Sequence, residues 1–171
     1  MDLWEVKGED DREQWDFVPF VSVGPLRFGM SIDEAEAALG AGSEWALLEA
    51  SGWHPGAGTT AGCLHLVAYF SEEDGLHCVA IDGLMGPQVT VDGVALVGRV
   101  PSEVERWMLD YAERHGATLR YSPGADPHLV ELGLVGRVQR AGDVVLSRPV
   151  FLARRVHDVH PHVPTAEWFA F

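Results

Sequence analysis

The chain has 171 residues, is 47% hydrophobic and carries a formal net charge of −14, which is enough apolar content for an ordinary buried core and too much for a disordered chain. Apolar runs such as LHLVAYF fall far short of the ~20 residues that cross a bilayer, and the acidic opening MDLWEVKGEDDREQWD is the reverse of a basic-then-apolar secretory leader. A cytoplasmic protein with no membrane partner is therefore expected.

The charge is uneven. Residues 1–100 hold 17 Asp and Glu against 4 Lys and Arg, a net of −13, while residues 101–171 hold 9 against 8. An acidic first half repels nucleic acid and attracts basic proteins, although solubility alone would also account for it. One lysine against 11 arginines, with abundant Ala, Gly and Val, is the composition of a GC-rich bacterial coding sequence.

Residues 1–20 read as an acidic arm that docks through Trp4, Trp15, Phe17 and Phe20. A first module, residues 21–88, opens on VSVGPLRFGMSIDEAEAALG. Val21 and Val23 alternate, Gly29 allows a turn, and Ser31 with Glu34 has the spacing of a capping box. A short helix should follow with Ile32, Ala35 and Leu39 inward and Gly40 at its end. The strands Leu64 to Phe70 and Leu76 to Ile81 then flank the polar turn SEEDG, and residues 49–62 read as an irregular Gly-rich loop containing His54.

A second module, residues 89–156, repeats the order of signals in VTVDGVALVGRVPSEVERWML. Val89 and Val91 alternate, and Gly98 takes the place of Gly29. Ser102 and Glu105 suggest another capping box, and Val104, Trp107, Met108 and Tyr111 share one helical face before Gly116. Strands are expected over Thr118 to Tyr121, Leu129 to Gln139 and Val144 to Val156, leaving 157–171 as a C-terminal tail. Short turns between neighbouring strands require antiparallel pairing. The expected fold is α+β, with two pseudo-repeated strand-helix-meander modules sharing one antiparallel sheet, the helices on one face, in a single compact domain.

Catalytic patterns are not prominent. Glu72, Glu73 and Asp74 sit at a hairpin tip where solvated charge belongs, no serine lies in a G-x-S-x-G elbow, and GAG at 56–58 lacks a phosphate-loop context. With a loop centred on Glu73, Cys78 falls opposite Ala68 and Cys63 opposite Gly83, several rungs apart and beyond disulfide reach. No cofactor is called for. In HDVHPH, residues 157–162, alternation would bring Asp158, His160 and His162 to one side, a ligand set suited to zinc or a similar ion.

The segment VGPLRFGMSIDEAEAALG, with an aromatic-Gly-Met-Ser turn opening a helix that closes in Leu-Gly, resembles a module of many short bacterial proteins. Two such modules in tandem resemble the β-lactamase inhibitor proteins and, more distantly, the small outer-membrane assembly lipoproteins. That resemblance implies protein binding through a sheet and its loops, without catalysis. The expected function is a non-catalytic inhibitor or immunity-type module for a basic protein partner, using the exposed carboxylates Asp33, Glu36, Glu72, Glu73 and Asp74. The alternative is a small-ligand or metal-binding protein using the 49–62 loop and the C-terminal histidines. Ligands confined to one short segment do not tie distant parts of a chain together. Chelation is therefore expected to leave the melting temperature unchanged, and a drop of several degrees restored by zinc would show a structural metal.

Overall fold

The computed structural model describes residues 3–40, 46–48, 59–63, 65–154, 163, 164 and 167. HDVHPH, with Asp158, His160 and His162, lies outside them, as do residues 49–58 of the Gly-rich loop. Among the described residues no helix is long and apolar enough to cross a membrane.

The fold is α+β with two sheets. A small sheet holds β1 (Gln14–Val18), β2 (Ser22–Val23), β3 (Leu26–Arg27), β8 (Gln88–Val91) and β9 (Val94–Ala95) in the order β3-β2-β1-β8-β9. The large sheet holds β4 (Ala46–Leu48), β5 (Thr59–Cys63), β6 (Leu66–Ser71) and β7 (Gly75–Ile81) after helix α1 (Ile32–Leu39). It also holds β10 (Leu119–Tyr121), β11 (Pro127–Leu129), β12 (Leu134–Ala141) and β13 (Val144–Leu152) after helix α2 (Pro101–His115). Its order is β10-β11-β12-β13-β7-β6-β5-β4, two four-stranded meanders joined through their last strands.

Several local expectations hold. Ser31 Oγ accepts from the Glu34 N–H at 3.2 Å while Glu34 Oε2 accepts from the Ser31 N–H at 2.8 Å, completing the capping box. Ala35 is buried, and Ile32 and Leu39 pack beside it. In α2, Val104 and Met108 are buried with Trp107 and Tyr111 against them, and Gly116 closes the helix in the left-handed region. Cys78 is a free, fully buried thiol, so no disulfide joins it to Cys63.

Other expectations are corrected. Residues 14–18, read as part of an arm, form a central strand pairing parallel with β8, Gln14 opposite Gln88. The long intervening chain frees this pair from the antiparallel rule that binds hairpins. The proposed single sheet is therefore two. Helix α2 starts at Pro101 with Val100 as its N-cap and no side-chain cap, because proline's fixed φ suits the first helical position; Glu105 instead accepts from the Tyr121 hydroxyl at 2.9 Å. The β6–β7 register shifts by one between Tyr69 and Phe70. The bulge inserts His77, so Cys78 faces Tyr69 instead of Ala68, and Cys63 sits in β5 opposite Leu66.

The main core lies between the sheets and helices, gathering Trp15, Phe17, Leu26, Ala35, Phe70, Val79, Ile81, Val104, Met108, Leu134 and Phe151. Two buried polar side chains stitch the N-terminal strand to the chain's middle. The Arg12 guanidinium donates to the carbonyls of Gly83, Leu84 and Gly86 at 2.6 to 3.0 Å. Gln88 is fully buried; its amide oxygen accepts from the N–H groups of Leu96 and Val97, and its NH2 donates to the Val97 carbonyl and the Glu9 carboxylate. Satisfying every polar atom in this way is what makes such burial tolerable.

The β6–β7 tip is locked to the chain before α1. Gly29 N–H donates to Leu76 O at 2.9 Å and Leu76 N–H to Met30 O at 2.7 Å. Gly75, at φ +64°, leaves no room for a side chain, since an added Cβ would lie 2.5 Å from the Gly29 carbonyl oxygen and 2.7 Å from that of Met30. At Gly93, φ +77°, the same Cβ would meet open space. Gly93→Ala should therefore cost only the left-handed penalty of about 1 to 2 kcal/mol, and Gly75→Ala should cost roughly 3 kcal/mol or more because backbone must also move. Urea denaturation of both variants checks the order.

Candidate acidic interaction surface

The lock at Gly29 and Gly75 ties the β6–β7 tip to the chain just before α1. It holds the tip bearing Glu72, Glu73 and Asp74 to Met30, immediately before the Ser31 cap of α1, the helix that carries Asp33 and Glu36. Asp33, Glu36, Glu72 and Glu73 are exposed. Asp74 is half-buried and belongs to the turn: Ser71 Oγ accepts from its N–H at 3.0 Å and donates to its Oδ2 at 3.3 Å. Glu34 is likewise engaged, in the capping box.

The sequence reading missed two further carboxylates. A cavity of about 380 Å³ lies at the other end of α1, where Ala38 and Leu39 meet Glu13, Trp15 and Asp16 of the N-terminal strand and Gly24 and Pro25 of the β2–β3 turn. Glu13 and Asp16 are exposed, whereas Trp15 is 6% exposed with its indole N–H unpartnered. An Asp on alternate strand positions signals only a solvated face; its nearness to α1 arises from the pairing of β1 with β2, through which the Asp16 carbonyl accepts from the Gly24 N–H at 2.8 Å. Exposed carboxylates thus stand on the β6–β7 tip, on α1 and beside its last turn.

Four cations oppose the carboxylates of this half, and one of them, Arg27, is exposed on β3 next to Met30. Of the four, Arg12 is 5% exposed and spent on backbone carbonyls. A field predominantly of one sign raises the local concentration of opposite charge and speeds encounter. Metal chemistry is a poorer fit here: among the described residues no three His, Cys, Asp or Glu side chains are placed to hold an ion. No protein-family model, curated protein or solved structure matches the chain.

One titratable group sits just behind the acidic tip. His77, the bulged residue of β7, has a buried Nδ1 with no hydrogen-bond partner. Burial lowers its pKa, and Asp74 opposes that shift only in part. A histidine with a folded pKa below the unfolded ~6.5 takes up its proton more readily when unfolded, so its share of stability is present above pH ~6.5 and is lost as pH falls toward the folded pKa. Wild type should lose stability over that interval more steeply than His77→Gln, as measured by urea unfolding at a series of pH values, and the His77 ring resonances should titrate below pH 6.5.

Proposed function

We propose that the protein is a non-catalytic interaction module, an inhibitor or immunity-type protein, that binds a basic protein partner through the carboxylates along α1. The observation that carries this reading is the exposure of Asp33 and Glu36 on α1, with Glu72 and Glu73 on the hairpin tied just before that helix and Glu13 and Asp16 at the cavity by its last turn, on the half of the chain with a net charge of −13. The sequence resemblance to β-lactamase inhibitor proteins supports binding rather than catalysis. Helix α1 is a suitable platform because its ends are fixed, by the capping box and hairpin lock at one end and by packing against β3 and the N-terminal strand at the other. Charges held on a rigid element lose little entropy when a partner pairs with them.

The test begins with proteins retained from a native-host lysate by the immobilised chain, followed by kinetics with the purified partner. Asp33→Asn, Glu36→Gln, Glu72→Gln and Glu73→Gln combined should slow association roughly tenfold at low salt and flatten its salt dependence, with dissociation changed much less. Asp74 is left intact because its hydrogen bonds hold the turn. An association rate indifferent to salt and to all four substitutions would overturn the assignment of this surface.

A further inference from the structure

The cavity at the last turn of α1 exists because β2 is short. That strand pairs with β1 only at Phe17 and Val18, and the chain then turns at Gly24 and Pro25. Upstream of the pairing, β1 keeps β8 on one side, while residues 13–16 and the turn face Ala38 and Leu39 of α1 across a space of about 380 Å³.

One wall of this space is apolar and fixed. Leu39 and Pro25 contribute to it together with Trp15. The Trp15 ring lies against Gly24, at φ +55°, where an added Cβ would fall 2.5 Å from the ring Cγ. Trp15 is also part of the main core, so the ring is held between the turn and the buried apolar side chains.

The charges at the cavity are uncompensated. Glu13 and Asp16 are exposed there, and neither carboxylate has an ion-pair or hydrogen-bond partner among the described residues. Helix α1 has no basic residue in its last turn, so the negative end of its dipole lacks the cation that such an end favours. The indole N–H of Trp15, a residue 6% exposed, has no acceptor. Two carboxylates, a helix C-terminus and a leftover donor thus share one apolar-walled space.

These features suit arginine. Its stem lies along apolar surface while its head stays at the water boundary. Its guanidinium is weakly hydrated and offers five N–H donors, enough for two carboxylates at once, and its backbone carbonyl is an acceptor for an indole N–H. We propose that the cavity is a pocket for an arginine side chain of the basic partner, with the stem against Leu39 and Trp15 and the guanidinium on Glu13 and Asp16. The inference rests on the reading of this half as a surface for a basic protein and names its anchor. The carboxylates of α1 and of the hairpin tip act at a distance, whereas the pocket takes one side chain by contact.

The pocket is tested without the partner. Isotope-labelled full-length protein is titrated by NMR with N-acetyl-arginine N-methylamide and, in parallel, with the citrulline analogue, which keeps the shape and lacks the charge. The arginine compound should shift the Trp15 indole N–H and the Ala38 and Leu39 amides along one saturating curve, with a dissociation constant on the order of millimolar for so small a ligand, and should bind more weakly at high salt. The citrulline compound should leave all three signals in place. Glu13→Gln combined with Asp16→Asn should weaken arginine binding roughly tenfold with the rest of the spectrum unchanged, since both positions are exposed. Unmoved signals, equal shifts with citrulline, or an affinity indifferent to the two substitutions would overturn the pocket. Shifts confined to Asp33, Glu36 and the β6–β7 tip would also overturn it while leaving the acidic surface standing. Arginine uptake by the pocket, beside a partner whose association ignores salt and the α1 carboxylates, would support the pocket and overturn that surface instead.

Discussion

The pairing of β13 with β7 is the interaction on which the rest of the molecule depends. Three rungs, Ala80 with Val150, Val79 with Phe151 and Cys78 with Leu152, join one meander to the other, and all six residues are fully buried. Alternation sends these rungs into two different cores. Val79 and Phe151 face the main core, where the Phe151 ring lies 4.6 Å from that of Phe17, while the other four belong to a second apolar cluster on the opposite face. On the near side of the Ala80–Val150 rung β13 is clear of β7 and has another partner: the Ser147 N–H donates to Arg99 O and its carbonyl accepts from the Gly98 N–H. Ser147 Oγ adds a bond to Leu96 O at 2.6 Å. One strand therefore sets the position of the second meander, the small sheet and both faces at once.

This arrangement separates two kinds of charge across a sheet. Carboxylates collect in solvent around α1, where their neighbours are water and each other. Arg137 and Arg148 lie on the far face, where burial makes the contacts of Arg148 with Glu167 and Gln139 necessary. The difference is energetic as well as spatial. Exposed carboxylates act at a distance and are screened by salt, while the buried arginines act only on contact and are nearly insensitive to it.

Local signals were legible in the sequence and long-range ones were not. The Ser31–Glu34 box and the 104/107/108/111 stripe are written within single turns of helix, and both appear as read. Ser102 misled because the same S-x-x-E spacing follows a proline that begins the helix one residue earlier. The bulge at His77 leaves no mark in the alternation of apolar residues, yet it moves every rung beyond it by one. The strand at Leu129 to Gln139 reads as continuous, whereas Val130–Leu132 form a 3-10 turn and Gly133, at φ +62°, restarts the strand. Short β4 and β5 lack a period long enough to register. The buried contact of Tyr69 with Glu167 was out of reach for a simpler reason: the two are 98 residues apart, and neither belongs to a motif.

The parallel pairing of β1 with β8 bears on how the chain comes off the ribosome. Trp15 and Phe17 are synthesised early, but the strand that covers them and the carbonyl of Gly86 that receives Arg12 lie later by 74 residues. At the usual 5–20 residues per second, that gap leaves two apolar aromatics without β8 for about 4 to 15 s. Loop closure over such a distance adds its own delay, since non-local contacts repay their entropy only once formed. The parallel rungs between β1 and β8 therefore close well after the local β1–β2 pairing, in which Phe17 meets Val23 within the same turn.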